Sequence, residues 1–262
     1  MIKHFPKKRF GQNFLNDPYY LSLITSSLNI KPEDHVVEIG PGQGALTQLI
    51  APFVSHYDAV EIDRDLLPSL EEKFKSFSPF HLHAEDALKF NFQKIYQGKP
   101  LRIIGNLPYN ISSPLLFHLL NYREIIYDMH FMLQLEVVNR LVAKPHTKDY
   151  GRLSVMTQYF CENNLLFTVP PGAFSPPPKV HSAFVRMVPH ASLIPVKNMS
   201  VFTELVKEAF TYRRKTLGNS LKRFITSGTL TALNIDPKRR AETLTVEEFA
   251  AIANSKFYTH RD

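Results

Sequence analysis

The feature that most constrains the fold is an apolar run that leads into three alternate glycines. The run His35-Val36-Val37-Glu38-Ile39 is typical of a buried strand, and Gly40, Gly42 and Gly44 follow it before a helical pattern begins. Glycines allow a tight turn with positive φ and a close approach of the backbone to a ligand. The third glycine of the dinucleotide fingerprint is missing, because Ala45 follows Gly44. The pattern predicts a strand, turn and helix at a ligand site of an α/β sheet.

A second predicted strand, Tyr57–Asp63, ends in carboxylates about 20 residues after the first glycine. A carboxylate at that position can accept hydrogen bonds from both ribose hydroxyls of a nucleoside. Glu61 is the candidate. Asp63 is assigned to local structure instead, because with Asp65 it can cap the helix that begins at Leu66.

The third predicted strand, Phe80–Ala84, leads to Asp86. The Asp86 carboxylate can accept a hydrogen bond from an adenine amino group, or it can cap its own loop. Both interpretations remain open at this point.

A fourth predicted strand, Leu101–Gly105, leads into Asn106-Leu107-Pro108-Tyr109. Ligands of open α/β sheets bind at the carboxyl ends of the strands, so this run is the predicted reactive centre. The Asn106 side-chain oxygen and the Leu107 carbonyl, which Pro108 helps to hold, can accept the amino hydrogens of adenine N6. Tyr109 can stack on the base. Such a site favours methyl transfer through alignment of the target nitrogen with the methyl donor. This reaction needs no Ser/His/Asp or Cys/His set of catalytic residues.

The amino-terminal segment opens with Lys7-Lys8-Arg9. It could be an RNA-contacting arm, a cap over a cofactor pocket or an ordinary surface arm. In the second case Asn13 would bind a polar end of the cofactor, and Leu15 would contact a thioether or a ring. Asp17 and Pro18 are typical of a helix start.

The proline-rich segment 170–178 contains Phe174. The Phe174 ring could form the opposing face for a target base that has left its stack, and the prolines would limit the entropy lost when the loop closes. The alternative is a structural corner before the strand Val180–Met187.

The formal net charge of +7 indicates a polyanionic partner. Basic residues cluster in Lys7–Arg9, in Tyr212–Lys215 with Lys222-Arg223, and in Lys238–Arg240. Any one cluster could be a solvated face. Three clusters outside the predicted catalytic sheet favour contacts with the nucleic-acid backbone.

The length of 262 residues predicts one α/β domain with a small appendage. We predict a catalytic domain over residues 1–192, of which 1–16 form the basic arm, and an all-helical RNA-contacting domain over 193–262. Val201–Phe210, Asp236-Pro237 and the capping box at Thr245 are the helix signals of the second domain.

No window is apolar enough to span a bilayer, so we expect a cytoplasmic protein without membrane contact. We also expect a monomer. The single cysteine, Cys161, excludes an internal disulfide and is predicted to pack in the core. No metal site is predicted.

Five segments together resemble the ribosomal RNA adenine N6,N6-dimethyltransferase family, with the closest likeness to its bacterial small-subunit branch. The resemblance covers nearly the whole chain. The segments are Gln12–Leu15, Glu38–Gly44, Glu61–Asp63, Asn106–Tyr109 and Phe174–Val180.

This resemblance implies a class I methyltransferase fold of the Rossmann-like type that uses S-adenosyl-L-methionine. It implies two adjacent adenosines near the 3′ end of 16S rRNA, in the small ribosomal subunit or its precursor, as the substrate. Carried over by position, the cofactor-binding residues are Asn13, Leu15, Gly40, Glu61, Asp86 and Asn106.

Two alternatives remain at this stage. An adenine methyltransferase acting on DNA or on 23S rRNA would share the catalytic run. A non-catalytic rRNA-binding assembly factor would keep the basic clusters without needing the glycine-rich turn.

Overall fold

The computed structural model describes residues 12–77, 80–191, 194–212 and 214–255. Within these residues, seven strands form the central sheet. In chain order the strands are β1 Phe14–Leu15, β2 His35–Ile39, β3 His56–Val60, β4 Phe80–His83, β5 Leu101–Asn106, β6 Ile126–Gln134, β7 Cys161–Val169, β8 Phe174–Ser175 and β9 Ser182–Pro189. The order across the sheet is β4-β3-β2-β5-β6-β9-β7, and β1 pairs separately with β8.

Strands β2, β3, β4, β5 and β6 pair with one another in parallel, whereas β9 pairs antiparallel with β6. All five residues of β2 are buried. A strand that is buried along its whole length is covered on both faces, which is the usual condition of a parallel sheet. The strand order reverses between β2 and β5, which makes this point the topological switch where ligands of such sheets bind.

Ten α-helices occur in the described part of the chain. They are α1 Pro18–Leu28, α2 Thr47–Ile50, α3 Leu67–Phe74, α4 Ser112–Leu120, α5 Leu135–Val142, α6 Arg152–Gln158, α7 Met199–Thr211, α8 Leu217–Ser220, α9 Ser227–Ala232 and α10 Val246–Ala253. The predicted start of α1 is confirmed, because the Asp17 carboxylate accepts the Tyr19 amide at 2.9 Å and Pro18 is the first helical residue.

A buried ion cluster joins the end of α1 to the sheet. The Arg102 guanidinium donates to the Asp128 carboxylate at 2.8 and 3.0 Å, and to Asp34 at 2.7 Å. It also donates to the carbonyls of Leu28 and Asn29, which end α1. These contacts satisfy helix carbonyls that have no partner within the helix.

The chain divides into two compact units. The first runs to Val138 and includes Glu162–Pro189, and the second comprises Asn139–Cys161 and the chain from His190 onward. These units differ from the predicted division at residue 192, because α6 and the segment around it belong with the later helices. Neither α6 nor β7 was predicted. Their sequences lack a clear apolar period, and long-range packing decides their conformation.

The second unit has its own apolar core. Phe202, Leu205 and Phe249 are fully buried in it. The predicted capping box of α10 is confirmed, because Thr245 and Glu248 exchange hydrogen bonds with each other's backbone amides.

The helix start predicted at Asp236-Pro237 is wrong. Asp236 instead closes a turn with the amides of Lys238 and Arg239. The Arg239 carbonyl then accepts the Leu217 amide at 2.8 Å, and Arg240 pairs with Thr216 in an isolated antiparallel bridge, so the turn does not continue into a helix.

Cys161 is buried with the core, as predicted. No helix within the described ranges is long and apolar enough to cross a membrane.

Candidate active site

A cavity of about 610 Å³ lies in the first unit, at the carboxyl ends of the parallel strands. This volume is in the range of small-molecule and cofactor sites. Its walls include Gly40 after β2, Glu61 after β3, Asp86 after β4 and Asn106 at the end of β5. The chain positions predicted from the sequence are therefore neighbours in space.

The glycine-rich turn has the backbone conformation that the sequence predicts. Gly40, Gly42 and Gly44 have φ values of +68°, +58° and +78°. A Cβ at Gly42 would meet the Phe14 ring at 2.8 Å, whereas a Cβ at Gly40 would meet nothing within 4 Å. Because Gly40 also lines the cavity, the open space beside it is available to a ligand.

The Glu61 carboxylate is fixed by two backbone amides. Its Oε2 accepts from Gly42 N at 3.2 Å, and its Oε1 accepts from Asp63 N at 2.8 Å. Burial raises the pKa of Glu61 above its usual value. Each oxygen keeps further acceptor capacity for hydroxyl donors in the cavity.

The Asp63 side chain does not cap α3 as predicted, because the N-cap of that helix is Leu66 and no side chain caps it, and Asp63 instead forms the turn before the helix. Its carboxylate accepts the Asp65 amide at 3.3 Å, and its carbonyl accepts the Leu66 amide at 3.0 Å. The other carboxylate oxygen accepts from the Gln12 side chain at 3.0 Å. Asp63 thereby ties the amino-terminal segment to the end of β3.

Glu38 is a buried carboxyl group beside the glycine-rich turn. Its Oε2 accepts the hydroxyls of Thr47 at 2.5 Å and of Tyr57 at 2.6 Å. Burial raises the pKa of Glu38 to about 7, although the two hydroxyl donors oppose this shift. Glu38 thus joins β2, α2 and β3 at the wall of the cavity, and it was not among the predicted site residues.

Asp86 has one of the two roles that the sequence left open, and its position is compatible with the other. One carboxylate oxygen accepts the Leu88 amide at 3.0 Å, which caps the loop. The residue also lines the cavity and is half-buried. Contact with an adenine amino group stays a prediction.

Asn106 is held by the amino-terminal segment. Its Nδ2 donates to the Asn13 carbonyl at 2.8 Å. A carbonyl can only accept, so this contact fixes which end of the amide carries the nitrogen. The side-chain oxygen is left for another donor, and Asn13, Leu15 and Asn106 all line the same cavity.

The turn after Asn106 is tightly bonded. Leu107 N donates to the Met132 carbonyl at 3.2 Å, while the Pro108 carbonyl accepts from Ile111 N and Ser112 Oγ. The Leu107 carbonyl accepts no hydrogen bond from the residues that the structure describes. It is therefore available as an acceptor, as the sequence predicts.

Tyr109 is positioned by Ser182, the first residue of β9. Their hydroxyl oxygens are 2.7 Å apart, and Ser182 is fully buried. Burial raises the pKa of Tyr109, so the phenol stays neutral. No sequence signal pointed to Ser182, because the two residues meet only when β9 is added to the sheet.

Phe174 is not placed as the sequence predicts. The structure gives it 4% exposure in the apolar core with Leu15, Met132 and Phe184, and it does not line the cavity. The pairing of β8 with β1 aligns Phe174 with Leu15 and turns its ring inward. In this structure the Phe174 ring is not positioned to stack on a target base as predicted. Such stacking would require the ring to leave the core.

The described end of the amino-terminal arm forms part of the cavity wall, which favours a cap over the other interpretations. Lys7–Arg9 lie outside the described residues.

Ile62 also lines the cavity and is 47% exposed, an unusual position for an isoleucine after a buried strand. The sequence signal that could have identified Ile62 as a lining residue was an apolar side chain directly after Glu61.

The family model described as "Ribosomal RNA adenine dimethylase" matches residues 3–257. The chain belongs to this family. The described residues of this dimethylase contain no cluster of side chains suited to a metal ion.

Individual relatives agree with the family match. The dimethylase is 50% identical over 255 residues to "Ribosomal RNA small subunit methyltransferase A" of Coxiella burnetii, covering 97% of this chain and 99% of that one. It is 49% identical over 252 residues to the protein of the same name from Marinobacter nauticus, covering 96% and 91%.

Solved structures share the fold of the dimethylase. A dimethyladenosine transferase from Plasmodium falciparum is similar with a TM-score of 0.80 and 26% identity, over 91% of this chain and 95% of that one. The 23S rRNA methyltransferase ErmE is similar with a TM-score of 0.72 and 26% identity, over 92% and 98%. The predicted class I methyltransferase fold is confirmed.

Proposed function

We propose that this dimethylase transfers methyl groups from S-adenosyl-L-methionine to N6 of two adjacent adenosines near the 3′ end of 16S rRNA. The observation that carries the proposal is the Asn106 amide, which the Asn13 carbonyl holds in the wall of the cavity that Glu61 also lines. The small-subunit substrate is supported by the names of relatives about 50% identical over the whole chain.

The cavity fits the cofactor chemically. Glu61 would accept the ribose hydroxyls, and Asp86 would accept from the adenine amino group. Gly40 would allow close approach of the chain, and Asn13, Leu15 and Asn106 would hold the amino-acid end and the thioether region. When bound, S-adenosyl-L-methionine supplies an electrophilic methyl group on a cationic sulfur.

The residues of the chain would localise and aim the target nitrogen. The lone pair of adenine N6 is delocalised into the ring, so the amine is a poor nucleophile. Acceptance of its hydrogens by the Asn106 oxygen and the Leu107 carbonyl would favour a lone pair directed at the methyl group. Tyr109, fixed by Ser182, would stack on the base and keep the approach in line.

The second unit is proposed to bind RNA through its charge. It contains 16 lysines and arginines against eight aspartates and glutamates, a net charge of +8, whereas the first unit contains 15 against 16, a net charge of −1. Arg214, Lys215, Lys222 and Arg223 are exposed, and the Lys215 ammonium lies 3.9 Å from the Tyr212 ring centre. Arg239 is excluded from this role, because Glu248 binds it in a bidentate pair.

A ribosomal substrate implies action in the cytoplasm, during assembly of the small subunit. Action as a monomer stays a prediction.

The deciding experiment is mass mapping of rRNA after incubation of the protein and S-adenosyl-L-methionine with undermethylated small subunits. We expect two adjacent dimethyladenosines near the 3′ end of 16S rRNA. Parallel reactions with 23S rRNA and duplex DNA test the alternatives. Methylation of 23S rRNA alone would overturn the substrate assignment, and absence of cofactor binding by calorimetry would favour a non-catalytic assembly factor.

A further inference from the structure

Gln12 is a cavity residue to which the proposed methyl transfer assigns no role. It lines the cavity of the first unit, and its Nε2 donates to the Asp63 carboxylate at 3.0 Å. An ionised carboxylate can only accept, so this contact fixes which end of the Gln12 amide carries the nitrogen. Hydrogen bonds to a charged group are stronger than those between neutral groups. The pair is therefore suited to hold a segment of chain in place.

Asp63 is a firmly held partner for Gln12. The residue is 1% exposed. Its amide donates to Glu61 Oε1 at 2.8 Å, and its second carboxylate oxygen accepts the Asp65 amide at 3.3 Å. Gln12 is thus bound to a part of the chain that other hydrogen bonds already fix at the end of β3.

The residue after Gln12 holds the predicted catalytic amide. The Asn13 carbonyl accepts from Asn106 Nδ2 at 2.8 Å. The pairing of β1 with β8 begins at Phe14, so it does not include Asn13. Gln12 lies on the other side of Asn13, and its bond to Asp63 fixes the chain there. The Asn13 carbonyl is thereby held from both directions along the chain.

The dipeptide Gln12–Asn13 bridges the ends of two strands. Asp63 follows β3 and Asn106 ends β5, and β2 lies between these strands in the sheet. Neighbouring strands are about 5 Å apart, so the two ends are separated by about 10 Å. The dipeptide crosses this distance at the end of β2, where the Phe14 ring packs against Gly42. One short segment therefore links the proposed ribose side of the cavity with the side of the target nitrogen.

We propose that Gln12 is a positioning residue for methyl transfer: its bond to Asp63 fixes the Asn13 carbonyl and, through it, the orientation of the Asn106 amide. The inference rests on the proposed function, because it concerns the same transfer to adenine N6. In this role Gln12 contacts neither the target base nor the methyl group. Without its bond, the Asn106 amide can turn its NH2 group toward the target amine, which needs an acceptor.

Two substitutions break and rebuild the bond. Gln12→Glu places a second carboxylate against Asp63, and the two anions repel each other. Adding Asp63→Asn removes the repulsion, because the new amide can donate to the new carboxylate and still accept the Asp65 amide. Gln12→Ala removes the bond without adding charge, and it replaces this pair of variants if the double variant does not fold. Gln93→Glu, the same charge change at an exposed position of the first unit, is the control.

The first measurement is the transfer of labelled methyl groups to undermethylated small subunits, with both substrates saturating. We expect Gln12→Glu and Gln12→Ala to lower kcat by about tenfold, because the acceptor for the target amine is misoriented. The double variant should return to within about threefold of the unaltered protein, and Gln93→Glu should keep full kcat. A purely structural role would lower the urea midpoint of unfolding without changing kcat of the folded protein.

The second measurement follows the Asn106 amide itself and needs no RNA. The full chain is prepared with isotope-labelled asparagine for NMR, and the Asn106 side-chain signals are assigned by their absence from Asn106→Ala. We expect the Asn106 amide protons to exchange with solvent about tenfold faster in Gln12→Glu and Gln12→Ala, because their acceptor is no longer held. The exchange rate should recover in the double variant.

An unchanged kcat or an unchanged Asn106 exchange rate in Gln12→Glu would overturn the proposal. A loss that the folded double variant fails to repair would also overturn it. The NMR measurement separates this result from the proposed function. If the unaltered protein methylates no small subunits, the proposed function fails, whereas the exchange rates still decide whether Gln12 positions Asn106.

Discussion

The side-chain amide of Asn106 and the main-chain carbonyl of Asn13 are joined by a 2.8 Å hydrogen bond across 93 residues of sequence. This contact orients the one amide at the end of β5 toward the cavity. It makes the amino-terminal segment part of the predicted catalytic geometry as well as a wall of the cavity.

Asn106→Ala should lower methyl transfer by about two to three orders of magnitude, because it removes both the acceptor and its orientation. Transfer of labelled methyl groups to small subunits measures this, and RNA binding should be retained. Asn106→Asp keeps an acceptor but cannot donate to Asn13, so it should also be impaired. Asn121→Ala, an exposed position after α4, is the control. Full activity of Asn106→Ala would refute the assigned role.

Glu61→Ala should weaken binding of S-adenosyl-L-methionine by about 1–3 kcal/mol, the scale for unpairing hydrogen bonds to a charged group. Calorimetry measures the dissociation constant, with Glu71→Gln as an exposed acidic control. Because burial raises the pKa of Glu61 and ribose hydroxyls favour its charged form, affinity should fall as the pH is lowered through that pKa. A dissociation constant unchanged in the variant would contradict the ribose assignment.

Glu38→Gln tests the buried carboxyl. Its pKa rises from 4.5 to about 7 on folding, so the folded state holds the proton more tightly. The stability this provides is fully present below pH 4.5 and is lost as the pH rises through 7, by about 3 kcal/mol. The glutamine side chain of the variant stays neutral at every pH, so the variant should not show this loss of stability. Urea unfolding of both proteins at pH 5 and pH 8 measures it, and parallel pH dependences would be evidence against the shift.

Gly105→Ala should destabilise the fold by about 1–3 kcal/mol. A Cβ there would lie 2.6 Å from the Ile39 carbonyl oxygen, which is main chain and cannot move without disturbing β2. Gly172→Ala is the matched control, because a Cβ at Gly172 meets nothing within 4 Å. Urea unfolding at constant pH compares the two, and equal midpoints would mean that the strands adjust freely.

Replacing Arg213, Arg214 and Lys215 by alanine should reduce the salt dependence of RNA binding, with the log–log slope smaller by about 2. Arg213 lies outside the described residues, and the other two are exposed. The control replaces Lys31, Lys94 and Lys99, three exposed lysines of the first unit. If both triple variants keep the slope of the unaltered protein, the cluster does not contact phosphates.

The sequence by itself determined the local geometry of this protein. Glycines at 40, 42 and 44 predicted positive φ values, and all three have them. Polar residues after consecutive predicted strands indicated one shared edge, because parallel strands bring their carboxyl ends together. These features depend on neighbours within a few residues, so spacing alone was sufficient to find them.

Only the tertiary structure decided which side chains meet. Ser182 reaches Tyr109, and Asn13 reaches Asn106, because the strand order and the β1–β8 pair bring distant segments together. The same pairing turns Phe174 into the core, against the prediction. Such partners are set by packing between segments that are far apart in sequence, and no local period encodes them.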